Sequence, residues 1–196
     1  MEPSTPPIII KQEKKENVFW ETLKFIGIAL IIVIPVRIFV AQPFVVQGAS
    51  MDPTFATNNY LIVNQLSYRV GNPERGEVII FKFPLNQSEY FIKRVIGLPG
   101  ETVVLKGTSV IIKNKANPDG FTLNEPYISQ QNEKTEDMTV LLGDNEYFVM
   151  GDNRLESYDS RAWGPVKRNL IIGTPILRLY PLSDIGISPG NFKETK

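Results

Sequence analysis

The stretch Tyr90-Phe91-Ile92-Lys93-Arg94-Val95-Ile96-Gly97 places two adjacent cations inside an apolar run. Alternation along a strand puts Lys93 on one face with apolar neighbours, and Arg94 on the opposite face. The following Leu98-Pro99-Gly100-Glu101 suits a type II turn, because glycine readily adopts the positive φ of the third turn residue. The stretch therefore predicts a β-strand that holds a lysine among apolar side chains.

Similar runs, rich in β-branched and aromatic residues, recur on both sides of this strand between turn-forming residues. They occupy residues 60–63, 77–83, 102–105, 110–112 and 147–150. Residues 106–145 are more polar on average and include a long polar stretch at residues 130–137. We therefore predict a mostly β protein, with a core sheet in residues 45–105 and 146–196 and a small β-rich inserted subdomain in residues 106–145.

One long apolar run precedes these strands. From Phe25 to Ala41 only Arg37 is charged, and a helix rises about 1.5 Å per residue, so the run roughly matches a hydrocarbon core. A cleavable signal peptide would have a shorter apolar core, and a buried core helix would be amphipathic. Residues 18–44 are therefore predicted to be one transmembrane helix with its flanks, and these two alternatives stay open.

The charges around the run predict its orientation. Residues 1–17 combine proline with alternating charge, which is typical of a disordered tail. Lysines at positions 11, 14, 15 and 24 precede the span, whereas Arg37 alone closes it. The positive-inside rule then predicts a single-pass protein with a cytoplasmic N-terminus and its large C-terminal body on the outer side of the membrane.

The composition excludes several kinds of chemistry. The chain has no histidine and no cysteine, so an imidazole triad, a thiol nucleophile, imidazole or thiolate zinc sites and disulfides are all excluded. Carboxylate-bound metals remain open, but we predict neither a metal nor a cofactor. Lysine plus arginine equals aspartate plus glutamate at 21 each, so no long-range field favours nucleic acid as a partner.

A hydrolase of this composition needs a base other than histidine, and a lysine that burial keeps neutral can serve. Ser50 follows the apolar run in Gly48-Ala49-Ser50-Met51-Asp52-Pro53-Thr54. By itself this serine also fits a simple turn former, and by itself Lys93 also fits an edge strand whose cations reach solvent. A dyad of Ser50 and Lys93 is the first hypothesis.

A third group of polar residues lies between Gly151 and Gly164, in the sequence GDNRLESYDSRAWG. Its acidic, amide and hydroxyl groups fit a hydrogen-bonded loop, and they also fit an oxygen cage of the calcium type. The cage fits less well, because Arg154 and Arg161 would lie among the ligands.

The chain resembles the type I signal peptidases, the bacterial leader peptidase family, which are membrane-bound enzymes that use a serine/lysine dyad to remove signal peptides from exported preproteins. The resemblance covers residues 18 to about 180 and consists of an N-terminal span followed by conserved blocks in order. These blocks are Ser50-Met51-Asp52-Pro53-Thr54 and residues 75–81, 90–101 and 151–164.

The resemblance implies roles for individual residues. Ser50 is expected to be the nucleophile and Lys93 its general base, with the hydroxyl of Ser157 against the lysine. Asp159 and Arg161 are expected to form an ion pair that supports the loop.

Some members of the family have a serine that donates to the oxyanion two positions before the nucleophile, but this chain has Gly48 there. The Ser50 N–H remains as one donor, and the second is either the Gly48 backbone or absent. An extended substrate is expected to pair with a sheet edge, with small residues at the first and third positions before the cut. Candidate residues for the pockets are Phe44, Val46, Ile80 and Val95.

The expected partners are preprotein signal peptides and the lipid bilayer, in proximity to the secretion translocon. Two other classes stay open. A self-cleaving serine/lysine protease of the repressor type would need a DNA-binding domain where this chain has its apolar run. A membrane-tethered β module without activity would only bind a partner.

Overall fold

The computed structural model describes residues 18–35, 41–128 and 135–192, which fall into two units. The unit that ends at Val36 contributes a helix, and the unit that begins at Arg37 contributes every described strand. The mostly β fold predicted from the sequence is therefore confirmed. The predicted disordered tail, residues 1–17, lies outside the described residues.

Helix α1 spans Val18–Pro35 and is long and apolar enough to cross a membrane. None of its side chains is buried within the structure. The predicted apolar run continued to Ala41, but Ala41 begins a strand. Residue 42 precedes Pro43, which disfavours helical backbone, and the segment pairs instead with residues 60–64.

The described residues contain twelve strands and two further short helices. The strands are β1 Ala41–Val45, β2 Tyr60–Asn64, β3 Val78–Phe83, β4 Asn86–Gly97, β5 Thr102–Gly107, β6 Ser109–Lys113, β7 Phe121–Thr122, β8 Thr135–Leu141, β9 Glu146–Met150, β10 Val166–Lys167, β11 Ile171–Tyr180 and β12 Gly186–Ile187. The helices are α2 Ser67–Val70 and α3 Ser160–Trp163, and 3-10 turns occupy Arg168–Leu170 and Leu182–Asp184.

The main sheet is antiparallel in the order β1-β2-β11-β3-β4-β9-β10, with β12 added beside β11. Strand β4 lies between β3 and β9, where Arg94 is paired with both Val78 and Met150. Lys93 is 4% exposed and Arg94 is 1% exposed. The reading of this segment as an edge strand with solvated cations is therefore wrong.

A second antiparallel sheet has the order β7-β6-β5-β8. It begins at Thr102, because β5 pairs with β6 and β8 and not with the main sheet. The main sheet in turn begins at Ala41. The main sheet thus starts about four residues before the predicted boundary at 45, and the second sheet about four residues before the predicted boundary at 106. The second sheet packs its apolar face, including Val103 and Ile112, against Phe148 of the main sheet.

Candidate active site

Ser50 lies in a tight turn, residues 48–55, which we call the Ser50 turn. The Phe55 N–H donates to the Met51 carbonyl at 2.9 Å, and Met51 and Phe55 are both buried in the same apolar cluster. The Asn153 N–H donates to the Ser50 carbonyl at 3.1 Å. The turn is therefore fixed from two sides, while Ser50 itself stays half-buried at the rim.

Lys93 reaches Ser50 from the middle of the main sheet. Its Nζ donates to the Ser50 Oγ at 2.6 Å. The same nitrogen lies 5.5 Å from the centroid of the Phe91 ring. The structure thus brings together the two residues that the sequence singled out, which are 43 positions apart.

The surroundings of Lys93 favour its neutral form. Burial lowers the pKa of Lys93 from 10.5 to about 8. The carboxylates of Asp159 and Asp152 oppose this by raising the pKa, and the guanidinium of Arg161 assists it. With a pKa of about 8, roughly one Lys93 side chain in ten is neutral at pH 7, against less than one in a thousand for a solvated lysine.

The dyad opens into a cavity of about 590 Å³. Three of the predicted pocket residues, Phe44, Val46 and Ile80, line it. Val95 does not: it is fully buried in the core with Ile79 and Val149. Beyond Lys93 the strand passes between β3 and β9, so a side chain on the same face enters the core instead of the cavity.

Several other residues of the cavity wall could not be selected from the sequence. They are Leu61, Glu89, Tyr90, Ile92, Glu156 and Tyr158. The rings of Phe44 and Tyr90 are 5.3 Å apart, so β1 and β4 approach each other across the cavity. Strand alternation could have indicated Glu89, which lies on the Lys93 face, but not the approach of β1 to β4.

Gly151 brings the second polar loop against the dyad. An added Cβ on this glycine would lie 2.3 Å from both the Ser50 carbonyl and the Ser157 hydroxyl. The Ser157 Oγ accepts the Gly151 N–H at 3.1 Å. No hydrogen bond joins Lys93 to Ser157 in the part of the chain that the structure describes, and the expected placement of this hydroxyl against the lysine stays a prediction.

Asp159 and Arg161 form the expected ion pair, with both carboxylate oxygens 2.8 Å from guanidinium nitrogens. The Asp159 carboxylate also accepts the Gly151 N–H at 3.1 Å and the Arg161 N–H at 3.2 Å, where it caps α3. In addition Arg161 donates to the carbonyls of Arg154 and Ser157. The pair thus links both ends of the loop that faces Ser50.

The sequence did not identify Arg94 as a partner of this loop. Its guanidinium donates twice to the Asp152 carboxylate, at 2.8 and 2.6 Å, and the two side chains are almost completely buried. Thr54 of the Ser50 turn donates to the same carboxylate at 2.5 Å. Asp152 therefore joins β4, the loop and the Ser50 turn.

Some backbone N–H groups of the Ser50 turn have no hydrogen-bond partner among the described residues. Within residues 41–128 and 135–192 the N–H groups of Gly48 and Ser50 make no hydrogen bond. Gly48 has φ +89°, which favours glycine, and its carbonyl accepts from the Thr57 hydroxyl at 3.1 Å. The turn thus has unpaired backbone donors at Gly48 and at Ser50 itself.

The described residues contain no group of three or more acidic side chains that could hold a metal ion. In the second polar loop, Asp152 and Asp159 are each paired with an arginine. The described part of this loop is a hydrogen-bonded structure that contacts the Ser50 turn, and its ion pairs fit an oxygen cage poorly.

Comparison with known proteins gives one consistent result. A family model described as signal peptidase, peptidase S26, matches residues 19–180. Signal peptidase I of Leptolyngbya laminosa is 36% identical over 193 residues, which cover 94% of this chain and 92% of that protein. Signal peptidase I P of Bacillus subtilis subsp. natto is 37% identical over 182 residues, or 88% and 94%. A solved signal peptidase I from Enterococcus faecalis V583 is 33% identical and covers 54% of this chain and 97% of its own, with a TM-score of 0.45.

Proposed function

The chain belongs to the signal peptidase family, peptidase S26, and on that premise we propose that Ser50 is its nucleophile and Lys93 its general base. The resemblance found in the sequence is confirmed by this membership. The chain is thus a serine endopeptidase of the kind that removes signal peptides from preproteins. The assignment of the dyad, the substrate rule and the membrane topology are our proposals.

The hydrogen bond of 2.6 Å between the Lys93 Nζ and the Ser50 Oγ is the observation that carries the proposal. A general base that acts directly lies within about 2.6 to 3.2 Å of the heavy atom that carries the proton. The absence of histidine and cysteine from the chain leaves lysine as the neutral nitrogen base beside this hydroxyl. Burial supports the same role, because it lowers the pKa of Lys93 to about 8.

The proposed reaction has two stages. Neutral Lys93 takes the Ser50 proton while the Oγ bonds to the scissile carbonyl carbon, and the resulting ammonium gives that proton to the leaving amine as the C–N bond breaks. This leaves an ester on Ser50. Lys93 then takes a proton from water as the water oxygen attacks the ester, and returns it to Ser50 as the C–O bond breaks.

The N–H groups of Gly48 and Ser50 are proposed to bind the oxygen that becomes negative in both stages. Thr57 supports this role, because its hydroxyl holds the Gly48 carbonyl. A backbone donor would replace the serine hydroxyl that some family members place here. Removing one such donor typically costs about 2.7 to 4 kcal/mol of transition-state stabilisation, so the second donor has a large effect.

Ser157, Asp159 and Arg161 are proposed to support the dyad without bonding to the substrate. Ser157 and Asp159 both accept the Gly151 N–H, which keeps Gly151 close to the Ser50 carbonyl. The charge of Asp159 also favours the ammonium form of Lys93, and Arg161 opposes it. These charges partly oppose the effect of burial, which leaves about one Lys93 side chain in ten neutral at pH 7.

An extended signal peptide is proposed to lie between β1 and β4. Part of the cavity wall there is apolar and consists of Phe44, Val46 and Ile80. Peptides added along a strand present alternate side chains to one face. This arrangement supports the small-x-small rule. The small side chains of the first and third residues before the cut would contact the apolar part of the wall.

Helix α1 is proposed to span the cell membrane once, with the tail in the cytoplasm and the unit that begins at Arg37 on the outer side. The length and composition of α1 and the excess of lysine before it support this topology. The bilayer and the secretion translocon would then be the neighbours of the enzyme. We propose the main sheet as the catalytic core and the second sheet, residues 102–141, as an inserted subdomain.

Mapping the cut by mass spectrometry tests this function. The purified full chain in neutral detergent is incubated with a labelled preprotein whose signal peptide ends in Ala-x-Ala. A new N-terminus directly after the second alanine is expected. Matched substrates with leucine in place of either alanine should be cut at least ten times more slowly. Intact wild-type substrate after prolonged incubation would contradict the assignment and favour a module that only binds a partner.

A further inference from the structure

Residues 186–192, which we call the C-terminal segment, fold back towards the active site. Strand β12 pairs with β11 at Gly186 and Ile187. The Ser188 N–H then donates to the Ile176 carbonyl at 2.8 Å, and the Asn191 N–H closes a turn onto the Ser188 carbonyl at 3.3 Å. All seven residues lie beyond the region matched by the family model, which ends at residue 180.

Gly190 of this segment lies against the Ser50 turn. An added Cβ would be 2.7 Å from the Phe55 ring and 2.9 Å from the Thr54 methyl group. Gly190 also has φ +75°, which favours glycine. Phe55 is fully buried, so its ring has little room to move away. The position of Gly190 is thereby coupled to the position of the turn.

The same residue completes the environment of Arg94. The Gly190 carbonyl accepts from the Arg94 Nη1 at 2.7 Å, beside the Gly76 carbonyl at 2.6 Å. The other guanidinium donors bind Asp152, whose carboxylate also accepts from Thr54. A buried guanidinium needs all its donors satisfied, so the C-terminal segment supplies a contact that the pair requires.

An aromatic stack covers the outer side of this ion pair. The Arg94 guanidinium carbon lies 3.9 Å from the centroid of the Tyr127 ring. Phe192 packs edge-on against Tyr127, with centroids 5.4 Å apart. Burial and the neighbouring Glu125 carboxylate raise the pKa of Tyr127, whose ring is half-buried. Phe192 therefore packs against the Tyr127 ring, which in turn contacts the Arg94 guanidinium.

We propose that Gly190 and Phe192 are positioning residues for the Ser50–Lys93 dyad. Gly190 supports the Ser50 turn directly at Thr54 and Phe55, and both residues fix Arg94, the neighbour of Lys93 in β4. The inference rests on the proposed function. Because a displacement of about 1 Å in a reacting group can lower a rate about a hundredfold, a small shift of the turn should act mainly on kcat.

The variant Gly190→Ala tests the proposal, and Gly100→Ala is its matched control. Gly100 has φ +76°, so alanine meets the same backbone strain there, but an added Cβ at Gly100 has nothing within 4 Å. Both full-length variants are assayed in detergent for kcat, KM and Tm. We expect Gly190→Ala to lose at least tenfold in kcat with KM within about twofold, and Gly100→Ala to keep kcat within about twofold.

A second variant covers the case in which Gly190→Ala fails to fold. Phe192→Ala removes the ring behind Tyr127 and should lower kcat about three- to tenfold, and Phe192→Leu should restore most of it. Equal kcat values for Gly190→Ala and Gly100→Ala, or a Phe192→Ala variant that loses Tm but keeps kcat, would overturn the inference alone. A wild-type chain that cuts no preprotein would overturn the proposed function and this inference with it.

Discussion

Arg94 and Asp152 form a buried two-point ion pair, with hydrogen bonds of 2.8 and 2.6 Å and almost no solvent exposure on either side chain. Because Arg94 directly follows Lys93, the pair fixes the strand that carries the proposed base. Because Asp152 also accepts from Thr54, it fixes the turn that carries the proposed nucleophile. One ion pair therefore connects both members of the dyad.

Arg94→Met is expected to destabilise the fold strongly. The variant leaves the Asp152 carboxylate buried without its partner, and breaking such a pair from one side typically costs about 3 to 5 kcal/mol. Chemical denaturation of the detergent-solubilised chain measures this loss. The exposed Lys106→Met serves as the control and should change the free energy of unfolding by less than about 0.5 kcal/mol. An Arg94→Met chain as stable as the control would refute the structural role of the pair.

The rate should depend on pH through Lys93. With a pKa of about 8, the fraction of neutral amine rises roughly tenfold between pH 7 and pH 9 and then levels off. A profile of kcat/KM between pH 5 and pH 10.5 with a peptide substrate measures this limb. A rate that is flat down to pH 5 would show that no lysine titrates in the reaction, and a rate still rising tenfold per unit above pH 9 would show that burial does not lower its pKa.

Lys93→Met should inactivate the enzyme and yet stabilise its fold. The pKa of Lys93 is about 8 when folded and 10.5 as an ordinary lysine, so between these values the unfolded chain binds more protons and the stability of the wild type rises with pH. Below pH 8 the folded protein carries the full cost of a buried ammonium, about 3 kcal/mol.

The stability test therefore compares wild type and Lys93→Met at pH 7 and at pH 10.5. Methionine has a similar shape and no charge, so the variant should be more stable by up to about 3 kcal/mol at pH 7, and the difference should shrink at the higher pH. A variant less stable than the wild type at pH 7 would mean that the ammonium is favourably paired in the folded protein.

The close approach at Gly151 predicts a loss of activity from a single methyl group. In Gly151→Ala the new Cβ would meet the Ser50 carbonyl and the Ser157 hydroxyl at 2.3 Å, so the turn and the loop must separate. A decrease of at least a hundredfold in kcat is expected. In the control, Gly143→Ala, the new Cβ would meet only the flexible end of Glu146, at 3.3 Å. If Gly151→Ala matches this control in kcat, the contact has no role in catalysis.

The sequence singled out Ser50 and Lys93, which the structure brings within hydrogen-bonding distance, but it did not indicate most of the cavity wall. The dyad could be inferred because the composition excludes other bases and because ordered blocks resemble a known family. The partner of Arg94 could not be inferred, since alternation assigns a side chain to a face but does not say that Asp152, in the loop after β9, lies on that face. The prediction of Val95 as a pocket residue is wrong for a similar reason. Alternation assigns it to the Lys93 face of β4, but on that face it is already buried in the core.

The element boundaries depended on pairing that local sequence does not encode. Ala41 continues an apolar run, yet it belongs to β1 because residues 60–64 provide hydrogen-bonding partners for it. Likewise Thr102 begins the second sheet because β6 and β8 pair with it. The role of Gly190 was also hidden, since its contacts are with residues more than 90 positions earlier in the chain.

Cleavage of a labelled preprotein by dyad variants tests the central claim most directly. Wild type and Lys106→Met should both release the signal peptide, whereas Ser50→Ala and Lys93→Met should each lose at least about a thousandfold in kcat while remaining folded by Tm. Both losses are expected because the nucleophile and its base act as one unit. Processing at the wild-type rate by either folded variant would contradict the assignment of Ser50 and Lys93.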